Sequence, residues 1–125
     1  MSAAHAIHHI RLPELFNPKS HRLDASRIAN ALSIPVGTVA VAIGRKAEGV
    51  RKRPDAESLQ IALGRLYRIW TGIVELHGGN QANASIFLNA PNPHLENKTP
   101  IEFIKSGELD ALESLITAMN IRQPS

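Results

Sequence analysis

The sequence predicts an all-α protein: N-terminal helix-turn-helix helices, a long central helix, and a small C-terminal helical module. Three observations predict it. Apolar residues recur at helical spacing from Leu59 to Leu76. Two shorter helical patterns, before and after Ser33-Ile34-Pro35, are separated by a proline break. Within a stretch holding three prolines in ten positions, Thr99-Pro100-Ile101-Glu102 has the chemistry of a capped helix start.

The chain has 125 residues, 43% of them apolar and 20% charged, which is globular rather than disordered composition. Cysteine is absent, excluding disulfides and Cys-based metal sites or nucleophiles and fitting a reducing, cytoplasmic location. The longest unbroken apolar run, Val39 to Ile43, is far short of a membrane span, and residues 1–12 lack a secretory-signal pattern. The net charge of +3 hides an asymmetry. Residues 1–53 hold nine Lys/Arg and three Asp/Glu, a net of +6; residues 54–125 hold five and eight, a net of −3. A basic front and an acidic back point to two partners, nucleic acid for the first and a protein for the second.

Residues 1–20 read as an arm with a short helical turn and a loop at Asn17-Pro18. His5, His8 and His9 cluster there, and His5 and His9 would share one helix face. No acidic or Cys partner lies nearby, so a loose arm is the expectation and a metal site the alternative. Asp24 is placed to cap a helix carrying Ile28, Ala31 and Leu32. A second helix starts near Val36. Helix, tight turn and helix in about twenty residues is the size of a helix-turn-helix unit. Ala29 is small where the helices approach, and Ser33 takes the turn position usually given to glycine. Thr38 is the second helix's only polar side chain before Arg45, so Val39 to Ile43 resembles core or interface more than a base reader. Arg45, Lys46, Arg51, Lys52 and Arg53 come next, in what is expected to be a basic loop bent at Gly44 and Gly49. Together with Thr38 they form the candidate DNA-binding set, suited mainly to phosphate contacts.

Pro54 and the acidic residues after it are expected to open the longest helix. Gly64 and Gly72 inside its apolar stripe suggest close backbone packing, because each costs about 1 kcal/mol against alanine. Tyr67 and Trp70 read as core or subunit interface. His77 serves the last turn before Gly78-Gly79. A short helix from Gln81 to Leu88 leads to a rigid corner, FLNAPNPHLENKTPIEF (87–103), where Pro91, Pro93 and Pro100 forbid helix interior. Thr99, Pro100 and Glu102 form a candidate capping box, Ser106-Gly107 stops that helix, and a last helix from about Glu108 to Met119 buries Leu109, Leu112, Leu115 and Ile116. Residues 120–125 are expected to fray. No catalytic motif, phosphate loop, cofactor motif or internal repeat is present.

The corner carries a resemblance. Asn89-Ala-Pro-Asn-Pro-His-Leu95, then Thr99-Pro-Ile-Glu-Phe-Ile104, then Ser106-Gly107 and an amphipathic helix resemble the C-terminal toxin-binding domain of the Xre/MbcA/ParS antitoxins, over about residues 59–119. Phe87-Leu88 stands at the family's Trp-Leu position, and Asn92, Leu95, Thr99, Pro100, Glu102 and Gly107 match the family's corner, helix start and glycine after it. Glu96-Asn97 stands where the family often has Gly-Gly; many members end with a glycine and a short segment that reaches into the toxin, whereas here the last helix is expected to run into residues 120–125. The resemblance implies a non-catalytic, cofactor-free type II antitoxin. Its partner would be a RES-domain toxin that consumes NAD, or a related ADP-ribosyltransferase. It also implies dimerisation and repression of its own operon.

The expected organisation is thus an arm (1–20), an Xre-like helix-turn-helix with its basic loop (21–53) and a helical toxin-binding domain (54–125). Asn92, Leu95, Thr99, Glu102, Lys105 and Glu113 are the candidate toxin-binding residues, with simple capping the competing role for Thr99, Pro100 and Glu102. Each half is small enough to be marginal alone, so either the halves pack together or two chains pair; a dimer through the long helix is expected. The alternative function is a stand-alone helix-turn-helix regulator.

Overall fold

A computed structural model describes residues 10–122, with side chains described to residue 120. Seven α-helices account for most of it: α1 (Ala25–Leu32), α2 (Val36–Ala42), α3 (Ala47–Lys52), α4 (Gln60–Leu76), α5 (Gln81–Leu88), α6 (Pro100–Lys105) and α7 (Leu109–Arg122). Three short 3-10 turns, Pro13–Leu15, Glu57–Leu59 and Pro93–Leu95, join them. Among the described residues there is no sheet, only isolated bridges at Phe16–Leu23 and Asn92–Lys98. His5, His8 and His9 lie outside the described residues.

α1 begins where its chemistry dictates. The Asp24 carboxylate accepts from the backbone N–H of Ser26 (2.9 Å) and Arg27 (3.2 Å) and from the Ser26 hydroxyl, filling the free donors of the first turn. Ala25, Ile28, Ala29 and Leu32 face inward. Ser33 ends the helix in the left-handed region (φ 57°, ψ 43°), and the Ile34 N–H reaches back to Ala29 O at 3.0 Å. Pro35 then starts α2 at an angle of 102° to α1. A three-residue turn and a near-perpendicular pair is helix-turn-helix geometry. Val39, Ala40 and Ala42 are buried, as expected of that apolar run.

Two local expectations are corrected. The basic stretch is not a loop: Gly44 (φ 71°) makes the bend, but residues 47–52 form α3, anchored by the buried Val50. Nor does Pro54 open the long helix. It sits in a turn, its carbonyl accepting from Ala25 N–H at 2.8 Å, and helical structure begins at Glu57. Gln60 locks this junction: its amide accepts from Leu23 N–H (2.8 Å) and donates to Leu23 O (3.0 Å) and Ala56 O (3.0 Å).

α4 packs against α1, α5 and α7. Leu59, Leu63, Leu66, Ile69, Trp70 and Ile73 are buried. Tyr67 is half-buried; its hydroxyl accepts from Leu12 N–H at 3.2 Å, and its ring meets Phe16 edge-on at 5.3 Å. Leu12 and Leu15 are buried too, so the segment from residue 10 onward is packed rather than loose. Of the two stripe glycines only Gly72 is a close-packing site: a Cβ there would lie 2.9 Å from Ile116 Cγ2 of α7. Beside Gly64 the nearest atom is a flexible Arg68 nitrogen. His77 closes α4, its Nδ1 2.8 Å from Ile73 O. α7 continues to Arg122, past the expected fraying point. The buried apolar residues form one cluster from Leu12 to Ile116, so the two halves share a core. The long stripe is therefore covered within the chain, which removes its exposure as a reason to dimerise.

Candidate nucleic-acid and partner surfaces

The basic set falls on two neighbouring places. Arg45, Lys46, Lys52 and Arg53 line an open cleft of about 400 Å³ with Gly49, Val50, Ala56, Ser58 and Leu59. All four are exposed. Arg45 is steadied by donating to Ser58 O at 3.0 Å. Lys46 occupies the N-cap of α3, while Lys52 and Arg53 sit at its C-terminal end, where the helix dipole favours cations. Arg51 points elsewhere, its guanidinium reaching Gly37 of α2. Thr38 is half-exposed on α2, beside Val41, which is 60% exposed. Among the described residues none of the five cations forms a salt bridge within 4.0 Å; only Arg65 does. Near Arg53, the Asp55 carboxyl is held below its usual range by a Ser20 hydrogen bond first, with Arg22 and Arg53 as farther cations.

The second surface is the corner. Asn92 is buried: its Oδ1 accepts from His94 N–H (2.8 Å), and its backbone exchanges with Lys98 O (3.0 Å) and Asn97 N–H (2.9 Å). Leu95 is 4% exposed and packs inward. These two shape the corner from inside. The capping box is complete, with Thr99 N–H donating to Glu102 Oε2 at 3.0 Å and Glu102 N–H to Thr99 Oγ1 at 3.2 Å. The Thr99 backbone contact, then its hydroxyl, depress the Glu102 carboxyl below the usual range. Glu113 is engaged as well. Arg65 of α4 grips it at 2.6 and 3.0 Å and also reaches Asp110 at 2.6 Å, which lowers the Glu113 carboxyl and raises the guanidinium. Lys105 is exposed and stands by α2 rather than at the corner.

Glu96 (φ 56°) and Asn97 (φ 64°) both adopt the left-handed backbone that favours glycine. The chain keeps the turn that a Gly-Gly pair would make without that strain. Sequence reasoning missed the exposed Ile86 (67%) and Ile61 (88%). The signal was present for the first: Ile86-Phe87-Leu88 cannot all face one side of a helix, and Leu88 and Ala84 take the inward positions.

Among the described residues no group of three His, Cys, Asp or Glu could hold a metal ion, and no single helix is long and apolar enough to cross a membrane. Residues 74–120 match the family model of the antitoxin Xre/MbcA/ParS C-terminal toxin-binding domain. The match runs from the end of α4 into α7 and contains the whole corner; it starts later than the resemblance from residue 59. No curated protein and no solved structure matches the chain. The matched segment, residues 74–120, is thus similar to a toxin-binding antitoxin domain.

Proposed function

With that toxin-binding domain as the premise, we propose that the protein is the antitoxin of a type II toxin–antitoxin pair. It neutralises a RES-type toxin that consumes NAD or transfers ADP-ribose, and represses its own operon through DNA. The observation that carries the reading is the family match over residues 74–120. The corner supports it: a turn braced by Asn92, Leu95 and the capping box presents Ile86, Pro91, Pro93, His94 and Glu102 to solvent. A surface fixed before binding lowers the ordering cost of association. On this reading the division near residue 53 is functional, with a DNA-facing part before it and a toxin-facing part after it.

Support for operon repression is the 102° helix pair and the unpaired cations of the following segment, Arg45 to Arg53. A two-fold dimer would place the pair over half-sites about one helical turn apart. The dimer contact belongs on the outer side of α4, where Ile61 is bare, rather than on the buried stripe. Light scattering of the purified chain at micromolar concentration checks this; a monomer removes it.

Co-expression with the product of the adjacent gene tests the antitoxin. That product should arrest growth alone and be harmless beside this protein. A harmless product, or arrest that persists in its presence, ends the reading. The second reading, a stand-alone regulator, is favoured by the same helix pair. It predicts retention of the protein's own upstream DNA in a gel shift together with no effect on the neighbour's product.

A further inference from the structure

α6 lies against α2. The Ser106-Gly107 turn brings the C-terminal module to the end of α2: a Cβ on Gly107 (φ 78°) would lie 3.6 Å from Ala42 O and 3.7 Å from Val41 O. The exposed face of α2 then becomes one wall of a shallow groove over Pro35, Gly37, Thr38 and Val41, and the residue contributed from the other half of the chain is Lys105. Lys105 is exposed and, among the described residues, has no carboxylate within salt-bridge distance. Glu102, one turn back, has its carboxylate committed to Thr99. From α3, Arg51 reaches the same helix at Gly37. Two cations from two different elements thus border one exposed helix face, which itself offers a hydroxyl at Thr38 and an apolar group at Val41.

We infer that Lys105, although it lies within the toxin-binding segment, is a DNA phosphate contact of the helix-turn-helix. A helix in the major groove runs between two phosphate backbones, so the charges it needs are beside it rather than on it. α2 carries no cation of its own. Arg51 and Lys105 supply them from the neighbouring helices, while Thr38 and Val41 face the base edges, Val41 suited to a thymine methyl. DNA is favoured over a protein occupant by charge: the one charged side chain lining the groove is the cation Lys105, a second cation, Arg51, reaches the same helix at Gly37, and the lining holds no carboxylate. This inference rests on the DNA-binding part of the proposed function.

The test is a titration of the full-length protein with a 30-base-pair duplex from its own upstream region, between about 50 and 200 mM salt, for the native chain and for Lys105→Ala, Lys105→Arg and Arg51→Ala. Circular dichroism first confirms that each variant folds. Each lost phosphate contact flattens the log–log salt slope by about 0.9, so the affinity lost between those salts shrinks by about threefold for Lys105→Ala and Arg51→Ala. Lys105→Arg keeps the native slope, and growth protection against the neighbouring product is unchanged. A native slope in Lys105→Ala, with the Arg51→Ala slope reduced, overturns the inference while DNA binding stands. Loss of growth protection with a native slope assigns Lys105 to the toxin instead. If the native chain binds no duplex at 50 mM salt, the DNA-binding reading fails, and this inference with it.

Discussion

The two halves of the molecule use charge in opposite ways. Around α2 and α3, Arg45, Lys46, Arg51, Lys52 and Arg53 stand in solvent with no ion pair among the described residues. In the C-terminal half several carboxylates are tied to structure: Glu102 to the Thr99 cap, and Asp110 and Glu113 to Arg65. Unpaired like charges repel and are held in place only by the fold, so they do not add to stability; in the proposed function they serve DNA binding. Paired and capping charges do the reverse. The difference predicts that neutralising the basic set changes DNA affinity and leaves the thermal midpoint nearly unmoved, whereas substitutions in the corner change stability first.

The sharpest break should come at Leu95. Leu95→Ala removes an inward side chain from the corner and is expected to cost about 2–5 kcal/mol, measured by urea denaturation. A change below about 0.5 kcal/mol would mean that the corner is not packed from within. Thr99→Ala removes half of the capping box and should cost about 1 kcal/mol. The turn before it should respond in the other direction. Glu96→Gly relieves a left-handed backbone that costs about 1–2 kcal/mol in an L residue, less the chain entropy of glycine, so a gain of up to about 1 kcal/mol is expected. A loss there would show that the Glu96 side chain contributes something the left-handed turn does not explain.

The smallest effect concerns Arg65. Glu113 has a lowered carboxyl pKa, so its contribution is present above its unfolded value and is lost as pH falls through the folded one. Its side chain is 37% exposed, and solvent screening limits the whole contribution to under about 1 kcal/mol. Native protein should therefore lose slightly more stability than Arg65→Gln in the acid range and no more than it near neutrality. Equal acid slopes would show that the pair is only a surface contact.

Much of this was legible because it is local. Asp24 announces α1, Ser33-Ile34-Pro35 announces the turn, and Thr99-Pro100-Ile101-Glu102 announces α6; each is a short-range chemical signal. α3 was not legible because it is six residues long, holds Gly49, and has a single buried anchor in Val50, too little for periodicity to register. Pro54 was misplaced because its job, accepting from Ala25 across the chain, is a long-range contact. The inward turn of Asn92 was hidden for the opposite reason. A polar side chain at a corner reads equally well as a contact or a cap, and only burial separates the two. Lys105 is adjacent in sequence to the corner but in space to α2, which only packing reveals.

In the proposed function, toxin neutralisation belongs to the C-terminal corner and is separable from the basic surface. The direct measurement is growth of cells expressing the neighbouring product together with the native chain, with Lys46→Ala/Lys52→Ala/Arg53→Ala, or with Ile86→Glu. The expected result is full protection by the native chain and by the triple variant, which should lose DNA binding, and loss of protection by Ile86→Glu, folded but charged on the exposed face of α5. Protection lost with the triple variant and kept with Ile86→Glu would contradict that separation.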